Sequence, residues 1–132
     1  MITKINHVGV VVKNIEGALD LYTNTLGFKP AEILIAKEAG VKTVMISLGE
    51  ATLELTEPID PQSGVQKFLE TRGEGIHHIS LEVDDIKKER DLLESKGIQF
   101  IGKGPEYFGG VLVSFIHPKS TKGVLIELIQ WV

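Results

Sequence analysis

Asn6-His7-Val8-Gly9-Val10-Val11-Val12 and His77-His78-Ile79-Ser80-Leu81-Glu82-Val83 decide how this chain is read. Each is a short aliphatic run opened by a polar residue and a histidine, and each leads through a polar turn into a helical pattern. His7 and His78 lie 71 positions apart. Working outward, Ile15 and Ile86 at the two helix starts are also 71 apart, as are Asp20 and Asp91, and Gly27 and Gly97 at the helix ends are 70 apart. Further along, Ala51-Thr52-Leu53-Glu54-Leu55-Thr56 matches Val124-Leu125-Ile126-Glu127-Leu128-Ile129, with Glu54 and Glu127 73 apart. Landmarks that keep so nearly one offset mark an internal duplication.

Each copy reads as strand, helix and three strands. The first helix is predicted from Ile15 to Leu26, with Ile15, Ala18, Leu19, Tyr22 and Leu26 on one face, Asn14 as N-cap and Gly27 as terminator. Strands follow near Phe28–Ala36, Val41–Leu48 and Ala51–Glu57, and Leu48-Gly49-Glu50-Ala51 joins the last two as a hairpin. The connector from Pro58 to Glu74 carries Asp60-Pro61 as a helix-start signal and a short helix over Gly64–Thr71. The second copy predicts a strand at Ile76–Val83, a helix from Ile86 to Lys96, and strands near Ile98–Gly102, Val111–His117 and Gly123–Trp131. The stretch Gly102–Gly110, with four glycines and a proline, reads as a mobile loop. The fold class is α+β, in one domain over 1–132: module one 1–58, a connector 59–74 and module two 75–132.

Composition narrows the function. The chain has 132 residues, 42% hydrophobic and 24% charged, enough for a hydrophobic core. No cysteine is present, which excludes disulfides, thiolate nucleophiles and thiolate metal sites. A net charge of −4 gives no basic footprint for nucleic acid. No apolar run approaches a membrane span, and the first strand begins too early to leave room for a secretory signal, so the reading is a cytoplasmic protein.

Side chains alternate across a strand. Val8, Val10 and Val12 share one face of the first strand, and His7 takes the other. In the strand opening the second copy, Ile79, Leu81 and Val83 oppose His78, Ser80 and Glu82. Leu53 and Leu55 oppose Thr52, Glu54 and Thr56, while Glu127 interrupts the apolar face of Leu125, Ile129 and Trp131. A salt bridge or an edge position would account for Glu127 alone, and a structural role for either histidine alone. Two histidines and two glutamates at equivalent repeat positions make a different pattern: a pseudo-twofold between the copies would let His7, Glu54, His78 and Glu127 converge on one divalent ion, for which imidazole nitrogen and carboxylate oxygen are suitable donors. His77 falls on the Ile79–Leu81 face and reads as structural; His117, before Pro118, would cap a loop or touch a ligand.

The paired Asn-His-Val and His-His-Ile strands, the Leu-Glu-Leu and Ile-Glu-Leu strands and the two-module layout resemble the vicinal oxygen chelate superfamily, which includes glyoxalase I, extradiol dioxygenases, fosfomycin-resistance proteins and methylmalonyl-CoA epimerases. The resemblance implies sheets curled around a metal-binding cleft, with His7, Glu54, His78 and Glu127 matching the ligand positions. Within the superfamily, Gly75-Ile76-His77-His78-Ile79, and Phe115-Ile116-His117-Pro118-Lys119 leading into Gly123-Val124-Leu125-Ile126-Glu127-Leu128, look most like the epimerase family.

That likeness implies interconversion of the (R) and (S) forms of methylmalonyl-CoA by proton abstraction next to the thioester, through a metal-stabilised enolate. It implies a divalent cofactor (Co, Mn, Ni, Zn or Fe), a CoA thioester partner and a homodimer. Glu127 is the first candidate base and Glu54 the symmetric one for the opposite face. One departure stands out: some epimerases carry a catalytic glutamate where this chain has Thr43, and tend to have an amide where it has Glu54. Lys103, Lys119 and Lys122 read first as solvated surface charges and second as contacts for CoA phosphates. The bare His/Glu pattern leaves other readings open: a glyoxalase I-like lyase, an extradiol-type dioxygenase, or a non-catalytic small-molecule binding protein.

Overall fold

The computed structural model describes all residues from Met1 to Val132. Module one runs β1 (Ile2–Val11), α1 (Ile15–Asp20), β2 (Leu34–Ala36), β3 (Val41–Leu48) and β4 (Ala51–Pro58). The connector holds α2 (Gly64–Arg72). Module two runs β5 (Gly75–Val83), α3 (Ile86–Ser95), β6 (Phe100–Phe108), β7 (Val111–Ile116) and β8 (Ile126–Trp131). The mixed α+β class and the doubled strand–helix–three-strand order are those the sequence predicts.

The chain forms two compact units, His7–His77 and, separately, Met1–Asn6 with His78–Val132. In the first, the strand order is β2-β3-β4-β1; β2, β3 and β4 run antiparallel, and β1 lies parallel to β4 with Gly9 opposite Glu54. In the second, the order is β5-β8-β7-β6; β6, β7 and β8 run antiparallel, and β5 lies parallel to β8 with Ser80 opposite Glu127. The opening residues of β1 belong to this second unit. There the Thr3 hydroxyl donates to the Glu82 carbonyl at 3.1 Å, and the Asn6 amide donates to the Glu82 carboxylate at 3.0 Å.

Each unit has its own core. Val12, Ile15, Val44, Ile46 and Leu55 form the first, with Val10, Ala18, Leu19 and Tyr22 packed against it. Val83, Ile86, Phe100, Ile116 and Leu128 form the second, with Leu81, Leu93 and Ile126 alongside. Burial of these apolar faces is what seats the helices on the sheets, at roughly 25 cal/mol per Å² removed from water. The helices α1 and α3, one in each module, begin on the side-chain caps their sequences offer. Asn14 Oδ1 accepts from the Gly17 N–H at 2.8 Å, and Asp85 Oδ1 accepts from the Lys88 N–H at 3.1 Å.

Four segments depart from the sequence reading. The first helix does not run as one α-helix to Leu26: from Leu21 to Thr25 it widens into a π-helical turn, with the Leu26 N–H reaching the Leu21 carbonyl at 3.0 Å. The extra residue in that turn carries Leu26 off the apolar face, and it is 56% exposed. The strand predicted at Phe28–Ala36 pairs only over Leu34–Ala36. Pro30 has no N–H to give a ladder, and Phe28, Ala31 and Ile33 instead pack on the core as an irregular segment. The connector helix starts from Ser63, whose hydroxyl accepts from the Gln66 N–H at 3.1 Å, and not from Asp60.

The fourth correction concerns Gly102–Gly110. Most of this glycine-rich stretch is strand, and β6 continues through it to Phe108. The ladder slips between Ile101, opposite Phe115, and Glu106, opposite Val113. Gly109 and Gly110 make the turn into β7, while Gly102, at a φ of +80°, Gly104 and Pro105 lie within this irregularity. Arg90 on α3 seals it: its guanidinium donates to the Gly102 carbonyl at 2.7 Å and to Ser114 Oγ at 2.8 Å, and lies over the Phe100 ring.

Candidate metal centre

Strand alternation and register set the side chains of each unit. In the first, His7 and Gly9 on β1 share a face with Thr52, Glu54 and Thr56 on β4, and with Thr43, Met45 and Ser47 on β3. The His7 Nε2 and Glu54 Oε1 stand 3.7 Å apart. In the second, His78 and Ser80 on β5 share a face with Glu127 on β8 and Phe115 on β7. His78 Nε2 and Glu127 Oε1 are likewise 3.7 Å apart. The duplication therefore repeats the register as well as the residues: the residue two beyond each histidine stands opposite the glutamate of its own module. The structure brings His7 to Glu54 and His78 to Glu127, each within one unit.

Both histidines are buried, each 6% exposed, and Glu127 is nearly so. Burial pushes the His7 imidazole down to about 4, so at neutral pH it is uncharged and keeps a lone pair to donate. Burial pushes the Glu54 carboxyl up, opposed by the hydroxyls of Thr56 and Thr43. A gap of 3.7 Å is too long for a hydrogen bond. Bonds of about 2.0–2.2 Å to one ion place neighbouring donors roughly 3 Å or slightly more apart. A neutral imidazole beside a carboxylate at this spacing fits a divalent cation, and the donor set, all nitrogen and oxygen, suits the metals from Mn to Zn.

The remaining histidines are elsewhere. His77 meets the Phe68 ring edge-on, with centroids 4.8 Å apart, and its pKa is held down by burial and by Arg72. His117 accepts the Lys119 N–H on Nδ1 at 3.1 Å and so caps the turn Pro118–Ser120. Sequence reasoning missed Phe115, whose ring meets His78 edge-on at 5.9 Å. It placed Ser80 on the His78 face and Thr56 on the Glu54 face, but not Ser80 opposite Glu127, nor Thr43 opposite Thr56 beside Glu54. The hairpin turn Leu48-Gly49-Glu50-Ala51 carried the signal for the last of these: counting back from it places Met45 opposite Glu54 and Thr43 opposite Thr56.

A family model described as the Glyoxalase/Bleomycin resistance protein/Dioxygenase superfamily matches residues 6–115, and the chain belongs to that superfamily. Within it, the chain is similar to the mitochondrial methylmalonyl-CoA epimerase of Dictyostelium discoideum, 39% identical over 96% of this chain and 78% of the relative. It is 38% identical to the ethylmalonyl-CoA/methylmalonyl-CoA epimerase of Cereibacter sphaeroides, over 98% of this chain and 99% of that one. Among solved structures, a methylmalonyl-CoA epimerase in complex with methylmalonyl-CoA and NH4+ superposes with a TM-score of 0.91 at 29% identity, covering 100% of this chain and 96% of the other.

Proposed function

We propose that this chain is a metal-dependent methylmalonyl-CoA epimerase in which His7, Glu54, His78 and Glu127 ligate one divalent cation. The observation that carries the reading is the duplicated His/Glu pair in equal register. The full-length likeness to enzymes named for this reaction supports it. A cation held there supplies Lewis acidity toward the substrate oxygens on which negative charge develops, worth several kcal/mol.

The substrate carries a hydrogen on the carbon between a carboxylate and a thioester. A base removes it as a proton, the electron pair left on carbon delocalises into the thioester carbonyl, and a proton returns to the opposite face. Glu127 is the first candidate for the base, and Glu54 for the group on the other face. The buried surroundings of His7 and His78 exclude water, which strengthens each electrostatic contact. The assembly in this reading is a homodimer.

The test is incubation of one stereoisomer of methylmalonyl-CoA with metal-loaded protein in deuterated water. Inversion with deuterium at the centre is the expected result. No inversion by protein that holds its metal overturns the reading. Glu127→Gln lowers kcat by about 10²–10⁴-fold if Glu127 moves the proton; full activity in that variant removes the assignment.

A further inference from the structure

The two modules repeat the His/Glu register, but the neighbours of the two carboxylates differ. In the first, Thr56 lies two residues beyond Glu54 on the same face of β4, and Thr43 stands directly opposite Thr56 on β3. In the second, the equivalent positions are Ile129, two residues beyond Glu127, and Val113 opposite it on β7. At these positions one carboxylate has two hydroxyls and its counterpart two branched hydrocarbons; across the parallel pair Glu54 faces Gly9 and Glu127 faces the Ser80 hydroxyl.

The hydroxyls are not placed there for stability alone. Thr43 Oγ1 is buried and meets no acceptor at full hydrogen-bond geometry. A buried hydroxyl in that condition lowers stability, a cost valine would avoid. Thr56 Oγ1 donates to Glu54 Oε1 at a long 3.5 Å. Register puts both hydroxyls on the Glu54 face of the sheet, next to that carboxylate.

Resting on the metal-site reading above, we propose that Thr43 and Thr56 are positioning residues: together they hold the Glu54 carboxylate beside His7 and thereby set how tightly the His7–Glu54 pair binds a divalent cation. A free glutamate side chain loses rotamer entropy when it is fixed. Two hydroxyls on one carboxylate remove part of that loss before the ion arrives, and they direct the remaining oxygen lone pairs. Donors that orient a ligating side chain typically account for 10–100-fold in metal affinity. The duplicated halves are thus unequal in a definite way: Thr56 and Thr43 stand beside the first carboxylate where Ile129 and Val113 stand beside the second.

The experiment is a titration of the full-length, metal-stripped protein with Mn²⁺, with free ion followed by its electron paramagnetic resonance signal. Thr43→Val and Thr56→Val each remove a hydroxyl at similar volume, and Thr43→Ser keeps the hydroxyl while removing the methyl. The Val variants are expected to bind Mn²⁺ about tenfold more weakly, and Thr43→Ser close to wild type, with the unfolding midpoint of stripped Thr43→Val unchanged or raised. Val variants that bind as tightly as wild type overturn the proposal. So does Thr43→Ser falling as far as Thr43→Val, since the methyl and not the hydroxyl would then matter. A wild-type protein that takes up no Mn²⁺ is a separate failure, because it removes the metal-site reading itself.

Discussion

His7 shows how a single buried residue acquires a chemical role. Withdrawn from water, it gives up its proton well below neutrality, to about 4, and the carboxylate of Glu54 lies 3.7 Å from its Nε2. In most cores an imidazole and an acid this close would share a proton; here the spacing suits a third party between them. The same spacing at His78 and Glu127 makes the two histidines comparable in weight. His7→Ala and His78→Ala are therefore expected to weaken divalent-metal binding by similar factors. Each factor exceeds the roughly 10–100-fold that outer partners account for. Calorimetric titration of the two variants checks this, and a large effect confined to one of them would show that the pairs do not serve one ion.

At the scale of elements, Arg90 ties α3 to the irregular part of β6 and to β7. It is buried, and its guanidinium reaches Glu94, Ser114 and the Gly102 carbonyl. Arg90→Met leaves the buried Ser114 hydroxyl without its donor and removes the tie to the Gly102 carbonyl, at a cost of about 1–3 kcal/mol in urea unfolding. Arg90→Lys should recover little of it, since one ammonium cannot span three acceptors in a fork. This contact also marks where sequence reading stops. Asn14 and Asp85 cap their helices, and Gly49 turns the β3–β4 hairpin, through chemistry that acts within a few residues, so those boundaries were legible. Arg90 reads as one more surface charge on a polar helix, because its partners lie up to 24 positions away. The glycines of β6 misled for a related reason: locally they permit a loop, and only pairing with β7 makes them a strand. The histidines and glutamates were legible through the repeat, but Phe115 was not, because β7 and β8 are joined by a long connection and no tight turn fixes their register.

For the molecule as a whole, the count of bound ions separates two arrangements. Four ligands serving one ion require a stoichiometry of one per chain; two independent His/Glu pairs would take up two. Stripping the metal with a chelator should lower the unfolding midpoint, and restoring it should raise stability by about 2.7 kcal/mol at a hundredfold excess over Kd. Thermal melts at graded Mn²⁺ concentrations check both points. No helix is long and apolar enough to cross a membrane. The way β1 is shared has a consequence for any attempt to reduce the protein to its ancestral half. Thr3 and Asn6 bond to Glu82, so the second unit depends on residues encoded before the first. A fragment spanning 75–132 leaves one flank of β5 open to self-association. It should become monomeric and resistant to proteolysis only when a peptide carrying residues 1–6 is added or spliced on.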